Sequence, residues 1–241
     1  MIEAKRLAVV VPAYGAGRLL AQTVATMPAA VDLIVVVDDA STDGSAHPDA
    51  LGGDGRVVVV RHALNRGVGA AIVTGYRAAR ARGADVIAVM AGDAQMDPED
   101  LPAVALPVAR GHADYVKGNR LRHPAVRDMP LARRWGTSAL GALTAWAIDE
   151  PGLSDSQCGY TAIAGELVER LPLEGMWPRY GYPNDLLGLV KAAGGVIAEV
   201  TVRPVYGDER SGLRAWHTVA IVGLIARAGV RLRSRVKSSS R

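Results

Sequence analysis

Leu33-Ile34-Val35-Val36-Val37-Asp38-Asp39-Ala40-Ser41-Thr42-Asp43-Gly44 decides the fold. Its first five residues are apolar and mostly β-branched, with no polar alternation. Such a run fits a short strand buried on both faces. The chain then turns polar at once: two carboxylates, two hydroxyls and an Asp-Gly pair make a turn leading toward a helix cap. A strand apolar throughout and acidic at its carboxyl end suits a parallel sheet, whose ligands bind in the crevice at that end.

The neighbouring sequence repeats the pattern. Residues 7–11, 57–60 and 86–90 are further β-branched runs of strand length, and 18–27, 68–82 and 98–110 read as helices between and after them. Strand alternating with helix predicts an α/β fold with a mostly parallel central sheet flanked by helices. The residues just beyond each strand are then the ones that matter. They are Pro12-Ala13-Tyr14, Asp38-Asp39, residues 62–69 and Ala91-Gly92-Asp93-Ala94-Gln95. The second half is less regular. A fifth strand is expected over 115–118, a loop with His123, Pro124 and two arginines over 121–129, a helix over 131–148 and a strand over 196–205. With no internal repeat and no linker rich in Gly, Ser or Pro, one domain (1–212) followed by a terminal helix (213–241) is expected.

Composition narrows the class. A chain of 241 residues, 49% apolar and 22% charged, supports one packed core. The single cysteine, Cys158, forms no internal disulfide and favours a reducing compartment. Charged residues at 1–6 and a short apolar run argue against a signal peptide. The net charge of +4 is unevenly placed: Arg227, Arg231, Arg233, Arg235, Lys237 and Arg241 supply six positive charges, leaving −2 for the rest. A basic tail suits an anionic membrane surface or nucleic acid. No stacking-aromatic pattern or nucleic-acid module accompanies it, so nucleic acid is not an expected partner. Within 213–236, Ile221, Leu224, Ile225, Ala228, Leu232 and Val236 share a helical face with arginines along its flank. The uncharged stretch between His217 and Arg227 is nine residues, against about 20 for a membrane span. The helix is expected either to pack on the domain or to lie in a membrane interface with Trp216 near the headgroups.

Two motifs carry chemistry. A carboxylate such as Asp38 at a strand end can accept hydrogen bonds from a base N–H or ribose hydroxyls. In Asp93-Ala94-Gln95-Met96-Asp97-Pro98, Asp93 and Gln95 stand two apart on an extended loop and could point toward one ion. Mg²⁺ or Mn²⁺ takes one or two carboxylates and completes its shell with phosphate and water; Asp97, Glu99 and Asp100 read instead as a helix cap. Gly67-Val68-Gly69 is not a dinucleotide fingerprint, because Ile72 occupies the third glycine position.

The order Val11-Pro12-Ala13-Tyr14, residues 37–44, 65–71 and 92–98 resembles the family 2 glycosyltransferases of GT-A (Rossmann-like) fold, and within them the dolichyl- and polyprenyl-phosphate sugar transferases. Lys117-Gly118-Asn119-Arg120, Asp155-Ser156-Gln157-Cys158-Gly159-Tyr160 and residues 206–212 continue the match. The resemblance implies an inverting, metal-dependent hexosyltransferase. Its donor would be a UDP- or GDP-linked sugar and its acceptor a polyprenyl phosphate. The alternatives are a soluble acceptor (a small metabolite or protein side chain) or a non-catalytic nucleotide-sugar binding protein. Pro12, Tyr14, Asp38, Asp39, Gly67 and Asp93 would hold the donor. Asp93 and Gln95 would meet Mg²⁺ or Mn²⁺, although Ala91 replaces the first acid of the family's metal motif. Arg120, Arg210 and Ser211 would contact diphosphate or acceptor phosphate. Asp93, Arg120 and Asp185 would be catalytic, Asp185 as the base an alcohol acceptor needs. A cytoplasmic protein, peripheral at the inner membrane face through 213–241, is the expected setting; oligomeric state is not legible.

Overall fold

The computed structural model describes residues 1–205 and 215–239, with the side chains of the last helix described over 218–234. Among the described residues seven strands, β1 (Leu7–Ala13), β2 (Leu33–Asp38), β3 (Val57–Arg61), β4 (Val86–Val89), β5 (Tyr115–Asn119), β6 (Thr161–Ala164) and β7 (Ile197–Thr201), form one sheet. The order is β3-β2-β1-β4-β6-β5-β7. Every pairing is parallel except those of β6, which runs against β4 and β5. The sheet is thus mostly parallel, as expected.

Helices α1 (Arg18–Ala25), α2 (Val68–Arg80), α3 (Leu101–Ala109), α4 (Leu131–Ile148), α5 (Gly165–Arg170), α6 (Tyr182–Ala192) and α7 (Ala215–Ser239) cover it. Alternation along β1 and β2 divides the core. Val10, Val35 and Val37 pack with Ile72 and Tyr76 of α2 on one face. Val9, Ile34 and Val36 pack with Leu20 of α1 and Val104 of α3 on the other. Each such fully buried aliphatic side chain contributes roughly 1.5–3 kcal/mol. The apolar strands therefore hold the rim at their carboxyl ends rigidly in place.

The terminal helix packs on the domain. Ile221, Leu224, Ile225 and Ala228 are buried, and α7 lies chiefly against α6 and also against α4. A Cβ on Gly188 of α6 would stand 2.5 Å from the Ala228 Cβ, so the glycine permits that close approach. Four residues of the expected face are thus buried on the domain, and Leu232 is half-buried. Among the described residues, no helix is long and apolar enough to cross a membrane.

Candidate functional site

The carboxyl ends of β1 to β4 make one rim, tied by main-chain bonds. Asp39 N donates to Ala13 O (2.9 Å), His62 N to Asp38 O (2.8 Å) and Gly92 N to Pro12 O (3.3 Å). Side chains add ties: Ser41 Oγ accepts from Gly15 N at 3.0 Å and Asp43 from Gly17 N at 3.0 Å. Asp38 is buried; its Oδ1 accepts from Ser41 N at 2.8 Å, and its Oδ2 lies 3.5 Å from the exposed Arg61. Tyr14 is exposed beside it and Pro12 half-buried.

Asp39 has a different occupation from Asp38. Its Oδ1 accepts from His62 Nδ1 (2.7 Å) and Arg66 N (2.8 Å), and its Oδ2 from Gly67 N (2.7 Å). Both oxygens thereby shape the 62–67 loop. Gly67 is held at φ 93°, and a Cβ there would meet Pro178 O at 2.5 Å. The loop can follow this path only with glycine at that position.

Asp93 projects from the loop after β4. It is largely buried, and its Oδ1 accepts from Gln95 N at 3.1 Å. Burial raises its carboxyl above the ordinary value, only partly offset by backbone N–H groups. Among the described residues it makes no ion pair. Two alanines bend the acidic loops in the left-handed region, Ala40 at φ 66° and Ala94 at φ 57°. Such conformations cost a non-glycine residue about 1–3 kcal/mol and cluster at functional sites. Among the described residues no three His, Cys, Asp or Glu side chains converge as a ready-made metal cage.

A pocket of about 50 Å³ opens next to this loop, and its lining includes Gln95, Arg120, Arg133, Tyr160 and Arg203. Arg120 is held by a two-point pair with the wholly buried Asp155, Nε to Oδ2 at 2.8 Å and Nη2 to Oδ1 at 3.0 Å. Burial would raise the Asp155 carboxyl; the Arg120 guanidinium and nearby Lys117 outweigh it and hold it below its ordinary value. Lys117 is fully buried and donates to the Cys158 carbonyl. Desolvation lowers its pKa. The sequence gives no sign of the roles of Asp155, Lys117 and Arg133, though the first two stand in the quoted motifs.

Asp185 lies apart from this pocket's lining, at the first turn of α6 and fully buried. Its Oδ1 takes Arg231 Nη1 at 2.5 Å and its Oδ2 takes Trp177 N at 2.7 Å; Arg227 Nε stands 3.7 Å away. The residue expected as a base is therefore engaged by donors on both oxygens. Arg227 and Arg231, expected along the flank of the terminal helix, are turned onto the domain, where both also donate to Gly175 O. Arg210, Ser211 and the side chains of Trp216, Arg235, Val236, Lys237 and Arg241 lie outside the described residues.

A parallel sheet with one reversed strand and an acidic rim beside a basic pocket is the frame of a GT-A glycosyltransferase. The chain belongs to glycosyl transferase family 2, whose model matches residues 8–160. It is 26% identical over 220 residues to UDP-N-acetylglucosamine–dolichyl-phosphate N-acetylglucosaminyltransferase of Methanococcus voltae, covering 85% of this chain and 87% of that one. It is 29% identical over 204 residues to undecaprenyl-phosphate mannosyltransferase of Micrococcus luteus, covering 82% of each. Glucosyl-3-phosphoglycerate synthase of Mycobacterium tuberculosis, solved with Mn²⁺, UDP-glucose and phosphoglyceric acid, shares the fold with a TM-score of 0.66. That match is at 22% identity over 94% of this chain and 80% of the other. The dolichyl-phosphate and undecaprenyl-phosphate relatives support the polyprenyl-phosphate sugar transferase branch; the synthase shows the fold alone.

Proposed function

We propose that this chain moves one sugar, with inversion, from a nucleoside diphosphate to the phosphate of a polyprenyl lipid. One observation carries the reading: Arg120, Arg133 and Arg203 line a pocket that Gln95 of the Asp93 loop also lines. Positive charge thus lies beside the proposed metal loop, where the diphosphate and a phosphate acceptor would meet.

In this account Pro12, Tyr14 and Asp38 hold base and ribose, with Asp39 and Gly67 fixing the adjoining loop. Asp93, with Gln95 beside it, would hold Mg²⁺ or Mn²⁺, which neutralises charge on the departing diphosphate. An acceptor phosphate oxygen attacks C1 of the sugar while the C1–O bond to the diphosphate breaks, and the bonding electrons leave with the nucleotide. Arg120, with Arg210 and Ser211, orients phosphate oxygens. A phosphate acceptor arrives ionised, so no proton has to be removed. The engaged state of Asp185 suits such an acceptor better than an alcohol, for which a base oxygen must be open. The relatives named for dolichyl- and undecaprenyl-phosphate support the lipid; the phosphoglyceric acid of the fold neighbour keeps a soluble phosphorylated acceptor as the second reading.

Contact with a membrane is part of the proposal, with α4 as the contributing surface beside α7. Trp135 and Trp146 are 76% and 72% exposed on α4, and Leu131 is exposed with them. At 3.6 residues per turn these side chains share one face, opposite the buried Thr137, Thr144 and Ile148. The exposed Arg134 and Arg233 stand nearby on α4 and α7, the latter 5.9 Å from the Trp146 ring centroid. An apolar stripe with tryptophans and arginines is suited to an anionic lipid interface.

Calorimetry with UDP-, GDP- and dTDP-sugars, each with and without Mn²⁺, tests the donor half. The proposal expects one donor to bind tightly only with the metal; absence of binding across the panel counts against catalysis.

A further inference from the structure

The side chain of Glu199 of β7 is 3% exposed. It accepts four hydrogen bonds. Oε1 takes Ser154 N and Asp155 N, both at 2.9 Å. Oε2 takes Asn119 Nδ2 at 2.7 Å and Ser154 Oγ at 3.0 Å. Asn119 also donates to Ser154 Oγ at 2.6 Å, and its own Oδ1 accepts from Leu121 N at 2.9 Å.

These bonds bracket Arg120 on two sides. Asn119 and Leu121 flank it in the chain, and Asp155 is the partner that fixes its guanidinium. The parallel register of β5 and β7 sets Glu199 opposite Lys117, two residues before Asn119. A single carboxylate on a third element therefore ties the end of β5 to the 154–155 turn. Burying such an anion is costly unless its oxygens are satisfied. Its four hydrogen bonds all come from groups that hold Arg120 or the Arg120 partner, and the Arg122 guanidinium stands 3.5 Å from Oε2 as its ion-pair partner. Glu199 does not line the pocket itself.

We infer that Glu199 is a positioning residue for this transferase: by joining Asn119 to the Ser154-Asp155 turn it sets the Arg120 guanidinium at the pocket to receive a phosphate. The inference rests on the proposed role of Arg120. Supporting residues of this kind fix the orientation of the group that meets the ligand, and their loss loosens it without removing it.

The test is a double-mutant cycle on the full chain, using Glu199→Gln and Arg120→Lys. Glutamine keeps the size but replaces one accepting oxygen with an N–H₂ that faces other donors. Lysine keeps the positive charge beside Asp155 but lacks the two-point fork. The probes are inorganic pyrophosphate and farnesyl phosphate, each titrated with Mn²⁺ present, which separates a diphosphate contact from an acceptor contact. Circular dichroism melts verify folding, and Glu199→Asp serves as a second variant if Glu199→Gln fails to fold. The expected result is that Glu199→Gln weakens whichever probe Arg120→Lys weakens, by roughly tenfold. In the Arg120→Lys background it should add less than about twofold, because coupled residues are not additive. Unchanged probe affinity in a folded Glu199 variant, or the same loss in both backgrounds, overturns the inference while leaving the Arg120 reading intact. If Arg120→Lys itself weakens neither probe, the proposed phosphate role fails and the inference with it.

Discussion

Arg231 of α7 places Nη1 2.5 Å from Oδ1 of Asp185 in α6, joining the terminal helix to a carboxylate that is wholly buried. Removing one member of a buried pair leaves an uncompensated charge and typically costs about 3–5 kcal/mol. Arg231→Met should therefore lower stability by about 3 kcal/mol, read in a urea titration. Asp185→Asn in the same chain should recover much of the loss. If Arg231→Met melts like the wild type, the pair does not anchor α7.

Asp93 carries a cost in the free protein. Its carboxyl is raised by burial, so the folded chain keeps that proton to higher pH than the unfolded chain. Stability from this group then falls as pH rises above the unfolded value of about 4. Asp93→Asn should melt at or above the wild-type temperature at pH 7, with the margin shrinking toward pH 4. It should also abolish metal-dependent turnover. A folded variant with near-normal turnover removes Asp93 from the metal site.

Gly67 is held at φ 93°, with Pro178 O where a Cβ would stand. Gly67→Ala should destabilise the chain by about 1–3 kcal/mol through strain and displaced backbone. Because Gly67 N donates to Asp39, donor affinity should fall with it. A melt within 1 °C or so of wild type would show that the loop has another path.

Trp135 and Trp146 sit on the exposed face of α4. Replacing both with alanine should lower sedimentation with phosphatidylglycerol vesicles several-fold while leaving nucleotide-sugar affinity unchanged, since neither packs in the core. Equal sedimentation of the two proteins would remove α4 from the membrane proposal.

The parallel half of the fold was legible because Val and Ile runs such as 33–37 are buried on both faces and carry no competing period. Over β1 to β4 expected and observed strand limits differ by two residues at most, whereas β7, expected over 196–205, ends at Thr201. The unread elements lack such a signal. Thr161–Ala164 is four residues long, too short to show a pattern. Helix α6 is buried on every side from Tyr182 to Val190, so it has no polar face to mark its period. At the rim, Asp38, Asp39 and Asp93 were visible as acids at strand ends. What each carboxylate binds was not visible: that Asp39 serves a loop and Asp185 an arginine depends on contacts 23 and 46 residues away in sequence. Glu199 was signalled only as a lone acid in an otherwise alternating strand.

The most direct test is sugar transfer from radiolabelled UDP- and GDP-sugars to undecaprenyl phosphate in detergent micelles, with Mn²⁺ present. The expected product partitions into organic solvent, has the anomeric configuration opposite to the donor's, and disappears with Asp93→Asn. Label that never enters the lipid phase with any donor, while the same protein glycosylates a soluble acceptor, would contradict the proposed lipid acceptor.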